Sequence, residues 1–138
     1  MGTINGEGGS SCELFRAQAL VWNYTFSYAN SMSLKCAIQL GIPDVIYNNG
    51  EAMTLPQLVA RLNVHPNKAQ AIQRLMRLLV HSGFFVQQED EYFLTPASRL
   101  LLKNEPFREA PVVLLITDPI MTTPIQFLSS WFKNDDPT

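Results

Sequence analysis

Few side chains in this 138-residue sequence are of a type and spacing that could carry out a reaction. The two histidines do not pair: His65 sits in a turn just before Pro66, and His81 falls at the C-terminal end of a predicted helix, where a cation is favoured. Both read as structural or solvated groups. Cys12 and Cys36 show no CxxC or Cys/His spacing and read as free thiols. Asp118 reads as a helix cap, and Asp135 with Asp136 as a solvated pair. No carboxylate pair, Ser/His/Asp set or metal cluster stands out, so neither catalytic nor metal-ligating residues are assigned.

Charge is the second chemical signal, and it is divided. Lys68, Arg74 and Arg77 follow one another with no acid between Asn63 and Ser82, and Gln70, Arg74, Arg77 and His81 fall on one helical stripe. Such a stripe could face a nucleic acid or simply water. Glu89, Asp90 and Glu91 then place three carboxylates in succession. The formal net charge is −2, so no global field draws the chain to phosphate or to anionic lipid.

The elements that would carry these groups can be read from periodicity and punctuation. Thr54 and Gln57 form a capping box for a helix ending near Leu62. Pro66 opens a second helix, with Ile72, Leu75, Met76 and Leu79 on one face and a stop at Gly83. A hairpin is predicted from Phe84 to Val86 and Tyr92 to Leu94, its polar tip being the acidic triplet. Thr95 caps a further helix through Leu102. Helix, turn, helix and hairpin together are the arrangement of a winged helix. On DNA its second helix enters the major groove and its wing grips phosphate. Three anions on the wing oppose that use.

Upstream, Ser11 is positioned to cap a long helix in which Trp22, Tyr24, Phe26 and Tyr28 point around most of the circumference. A central core helix and a helix shared with a second subunit explain this pattern equally. A short helix follows, with Leu34, Ala37 and Ile38 on one stripe and a stop at Gly41 and Pro43. Downstream, prolines at 106, 111, 119, 124 and 137 predict short helices separated by kinks, the last clear one running from about Asp118 to Phe132. Hydrophobic residues make up 46% of the chain against 16% charged, which leaves apolar surface for a partner. The longest apolar run, Ala110 to Ile116, is far below the about 20 residues of a membrane span. Residues 1–11 are Gly/Ser-rich, lack the features of a signal peptide and read as a disordered leader on a cytoplasmic protein.

The segments "WNYTFSYANSMSLKCAIQLGIPDVI", "MTLPQLVARLNVHPNKAQAIQRLMRLLVHSGFF", "YFLTPASRLLLK" and "LLITDPIMTTPIQFLSSWFKNDDPT" resemble the amino-terminal dimerisation domain of plant S-adenosylmethionine-dependent O-methyltransferases. The similarity spans about Cys12 to Thr138 and is nearest to enzymes that methylate phenolic hydroxyls of isoflavonoids, alkaloids and related small molecules. It implies a mainly α fold, a degenerate winged helix with extra dimerisation helices, over residues 12–138. It also implies an intertwined homodimer, and pairing with a full-length relative through the same helices is a separate hypothesis. Trp22, Phe26, Ala29, Leu34, Ile38, Leu128 and Trp131 would form the interface.

In that family S-adenosylmethionine and the catalytic histidine belong to a following Rossmann-like domain, expected to be absent here. The chain shows no Gly-x-Gly after a strand, so no cofactor-binding residue is assigned and the chain alone is expected to be inactive. By position, the resemblance places Asn30, Ser31 and Met32 in the partner's substrate pocket and Leu115, Ile116 and Met121 in that of their own subunit. Plain core packing is the competing reading for Leu115, Ile116, Met32 and Met121. No nucleic-acid or membrane partner is expected, and a winged-helix DNA-binding regulator is the alternative.

Overall fold

The structure is a computed structural model that describes residues 7–135. It begins with a helix of 34 residues, α1 (Glu7–Leu40), one continuous rod where two helices are expected. The reason is local. From Ser10 to Leu40 there is no glycine or proline, and three hydroxyls that could compete with the helix, those of Thr25, Ser27 and Ser31, bond back into it. Thr25 Oγ1 donates to the Val21 carbonyl at 2.8 Å and Ser31 Oγ to that of Ser27 at 3.0 Å. The start also differs from the expected Ser11: residues 7–11 already belong to α1, and residues 1–6 of the expected leader lie outside the described residues.

Gly41, at φ 74°, ends α1 and turns the chain into α2 (Ile42–Asn48). Its lack of a Cβ makes this left-handed conformation accessible. After the Asn49-Gly50 turn comes β1 (Ala52–Thr54), a strand missing from the sequence reading. Three residues with one buried side chain give no alternation to recognise; pairing with a later strand defines it. The capping box on α3 (Leu55–Arg61) is present, with the Gln57 N–H donating to Thr54 Oγ1 and the Thr54 N–H to Gln57 Oε1.

One turn of 3-10 helix, Pro66–Lys68, leads into α4 (Ala69–His81), which buries Ile72, Met76 and Leu79. The hairpin consists of β2 (Phe85–Gln88) and β3 (Glu91–Leu94), and the antiparallel sheet has the order β1-β3-β2. Thr95 Oγ1 reaches the carbonyls of Gly83 and Phe84 at 2.9 and 3.0 Å, tying the two ends of the hairpin together.

Helix α5 (Pro96–Arg99) is shorter than expected. Leu101 and Leu102 are both buried, which neighbours on an α-helix achieve poorly, and their N–H groups bond three residues back instead. Three short helices end the described chain: α6 (Ala110–Ile116), α7 (Pro119–Gln126) and α8 (Leu128–Trp131). The helix expected from Asp118 to Phe132 is thus broken at Phe127, three residues after Pro124 has removed a backbone donor.

The core lies at the junction of the C-terminal end of α1 with α2, α3, α4 and the sheet. Ala37, Ile42, Ile46, Met53, Leu58 and Phe85 are among its buried members. The fold is mainly α with a small wing, as predicted.

Candidate functional site

Every residue of α1 from Gly8 to Ser31 is exposed, about 36 Å of helix at 1.5 Å per residue. Trp22 and Phe26, one turn apart, are each 56% exposed and stack on one another with ring centroids 5.4 Å apart. Tyr24 and Tyr28 are exposed on other sides of the same helix, as are Ala29, Asn30 and Ser31. The central-core reading of this helix is therefore wrong for the single chain. α1 enters the body at Met32, which is half-buried. Leu34 and Ile38 are also half-buried, and Leu34 packs against its own core, so the expected interface residues here are already partly engaged.

A second apolar face is built from the short helices. Leu115 and Ile116 on α6 are 59% and 58% exposed, Met121 on α7 is 46% exposed, and Leu128 and Trp131 on α8 are exposed too. Leu115, Ile116 and Met121 are thus not part of the core formed by the described residues. Asp118 Oδ1 accepts from the Ile120 N–H at 2.9 Å and so starts α7, the capping role read from its position. A shallow cleft of about 210 Å³ between α1 and α6 is lined by Ser31, Leu34, Val112, Val113, Ile116 and Thr117. It joins Ser31 to Ile116 within one molecule. Asn30, Met32, Leu115 and Met121 flank it in sequence without lining it.

One contact across this cleft escaped sequence reasoning. Lys35 Nζ donates to the Thr117 carbonyl at 3.0 Å, linking positions 82 residues apart. The only signal for it was a lysine set among Leu34, Ala37 and Ile38 on an otherwise apolar stripe.

The sequence profile of the O-methyltransferase dimerisation domain matches residues 22–104. The chain belongs to that family. It is 57% identical over 135 residues to a trans-resveratrol di-O-methyltransferase of Vitis vinifera, covering 93% of this chain and 38% of the relative. It is 50% identical over 132 residues to a chavicol O-methyltransferase of Ocimum basilicum, covering 92% and 37%. The chain thus spans under two fifths of the length of these relatives. Among solved structures, the pyocyanin biosynthetic protein PhzM superposes with a TM-score of 0.68 at 27% identity, over 85% of this chain and 34% of that one. A methyltransferase of calicheamicin biosynthesis, in its SAH-bound form, shares the fold with a TM-score of 0.76 at 19% identity, over 90% and 36%.

Within this O-methyltransferase dimerisation domain, the winged-helix face keeps the charge division of the sequence. Gln70, Arg74, Arg77 and His81 are exposed along α4, and Glu89, Asp90 and Glu91 are exposed at the wing tip. Arg77 lies close enough to the hairpin to act electrostatically on Tyr92. His65 is a cap, its Nδ1 accepting from the Asn67 N–H at 3.2 Å. Arg99 and Glu51 form an ion pair at 2.6 Å that links α5 to the approach to β1, both side chains being partly exposed. No group of three or more His, Cys, Asp or Glu residues that could hold a metal ion occurs among the described residues.

Proposed function

We propose that this chain is the dimerisation and pocket-completing module of an S-adenosylmethionine-dependent O-methyltransferase acting on phenolic hydroxyls of plant small molecules. The exposed aromatic length of α1 carries this reading. A solitary helix in water is marginal, and one that is apolar on all sides gains stability by burial against a neighbour. Trp22, Phe26 and Ala29, with Leu34 and Ile38 at the entry to the body and Leu128 and Trp131 on α8, form the proposed homodimer contact. Such an obligate apolar interface buries more than about 2,000 Å² in total.

The phenolic substrate class is supported by the relatives, whose names specify resveratrol and chavicol as their substrates. Branched aliphatic and thioether side chains suit flat rings of varied shape. Leu115, Ile116 and Met121 would wall the pocket of their own subunit, and Asn30, Ser31 and Met32 that of the partner. S-adenosylmethionine is assigned to the part of the relatives that this chain does not span. The described residues do not fit it: the glycines at positive φ, Gly41, Gly50 and Gly83, close helix ends and a turn, and the three strands are antiparallel. Among the described residues no parallel strand leads into a helix N-terminus that could cradle such a cofactor. The chain alone is accordingly inactive toward phenols, and the whole enzyme is cytoplasmic.

Sedimentation at micromolar concentration tests the central claim. A dimer is expected at all concentrations down to that range, and a stable, well-folded monomer would overturn it.

A further inference from the structure

Leu101 and Leu102 are 5% and 3% exposed, yet neither belongs to the apolar cluster that forms the main core. They follow α5, and beside them the structure leaves a partly enclosed pocket of about 190 Å³. Protein interiors are close-packed and hold few voids larger than a water molecule, so a space of this size is more than a packing defect. Pro43 of α2, both leucines and Leu114 of α6 supply its apolar lining. None of the residues assigned above to a substrate pocket takes part.

Three charged side chains complete the lining: Asp44, Lys103 and Arg108. The loop between α5 and α6 gathers them through its backbone. The Lys103 N–H donates to Asp44 Oδ1 at 3.1 Å, Arg108 Nη1 donates to the Lys103 carbonyl at 3.2 Å, and the Glu109 N–H donates to the Leu100 carbonyl at 2.9 Å. Lys103 and Arg108 are exposed, which puts them at the rim, and among the described residues neither is in an ion pair. The guanidinium keeps further N–H donors beyond the one given to Lys103. Two cations against one carboxylate leave the rim with a positive excess. Glu105 and Glu109 do not line the pocket, and Glu105 acts instead on Arg99.

Size and charge together select an occupant. A dry cavity of about 150 Å³ already accepts a benzene ring, whereas pockets for larger ligands start at about 300 Å³. The space therefore suits one ring with one small polar group, and the rim favours a negative one. We infer that this pocket binds a single-ring aromatic carboxylate, its ring against Leu101, Leu102 and Leu114 and its carboxylate toward Arg108 and Lys103. The site stands independently of the substrate pocket proposed above. Ile38 lines it and also belongs to the proposed dimer contact, so binding is measured on the chain in the oligomeric state it adopts.

Methyl NMR of the full chain, labelled at leucine, tests this with benzoate as the probe. A bound ring shifts the methyl groups it lies against. Leu101, Leu102 and Leu114 are expected to move at about millimolar benzoate or below, while Leu58 and Leu79 of the main core stay in place. Benzamide, of the same shape without the charge, is expected to require about tenfold more ligand, and acetate, the charge without the ring, to leave the three leucines unmoved. Lys103→Gln combined with Arg108→Gln is expected to bring benzoate down to the level of benzamide. Ala110→Leu, which fills the pocket from the first turn of α6, is expected to abolish the shifts.

Three leucines unmoved by benzoate would overturn the site, as would equal movement of Leu58 and Leu79. Benzamide as effective as benzoate, or unchanged benzoate binding in the double variant, would overturn the carboxylate assignment. Acetate producing the same shifts, or full binding in a folded Ala110→Leu chain, would remove the ring from the pocket. If Ala110→Leu fails to fold, the three probes on the unaltered chain decide.

Discussion

At the scale of single residues, two of the groups weighed for chemistry are engaged in local structure and a third is open to solvent. His65 caps a turn, Asp118 caps a helix, and His81 lies exposed at a helix end. Tyr92 is a titratable side chain whose burial bears on stability. Burial pushes its phenol above the ordinary value near 10, and the nearby Arg77 offsets this only in part. An acid whose folded pKa is raised contributes stability that is complete below the unfolded value and is lost as pH rises through the folded one. The chain should therefore lose stability above about pH 10, and Tyr92→Phe should flatten that alkaline limb in melting curves while leaving pH 7 behaviour close to unchanged. Gly41 supports a second prediction. At φ 74° any side chain is strained, so Gly41→Ala should cost about 1–2 kcal/mol in denaturant unfolding.

At the scale of elements, the wing separates two uses of one scaffold. Exposed Arg74 and Arg77 on α4 would suit phosphate, but Glu89, Asp90 and Glu91 at the hairpin tip repel it. No retention of duplex DNA is expected in a low-salt mobility assay. Replacing the three wing acids by lysine should create weak retention that disappears as salt rises; tight binding by the unaltered chain would contradict the charge argument. Most elements were legible in advance because their punctuation is chemical: the Thr54/Gln57 capping box, Pro66, Gly83 and the Asp118 cap all act where the sequence placed them. β1 was not legible, since Ala52, Met53 and Thr54 become a strand only through their partners Phe93, Tyr92 and Glu91. The single length of α1 was missed because a long helix and a separate short one were expected where no glycine or proline divides them and Ser27 and Ser31 bond back into the helix.

At the scale of the whole molecule, the core is concentrated at one end, and the exposed parts of α1 and α6–α8 extend a large apolar surface beyond it. Exposed patches of this size mark association. Trp22→Glu combined with Phe26→Glu should convert the proposed dimer to monomer or aggregate in sedimentation, and should make melting temperature independent of protein concentration. A double variant with unchanged mass would place the contact elsewhere. The amino-acid order alone determined the mainly α class, several helix caps and glycine stops, the acidic wing and the family, because caps, glycine stops and apolar periodicity are written in neighbouring residues. Tertiary structure alone decided that Leu115, Ile116 and Met121 lie open and not in the core, and that Lys35 reaches the Thr117 carbonyl. Burial and a hydrogen bond spanning 82 positions depend on how distant segments meet, which local spacing does not encode.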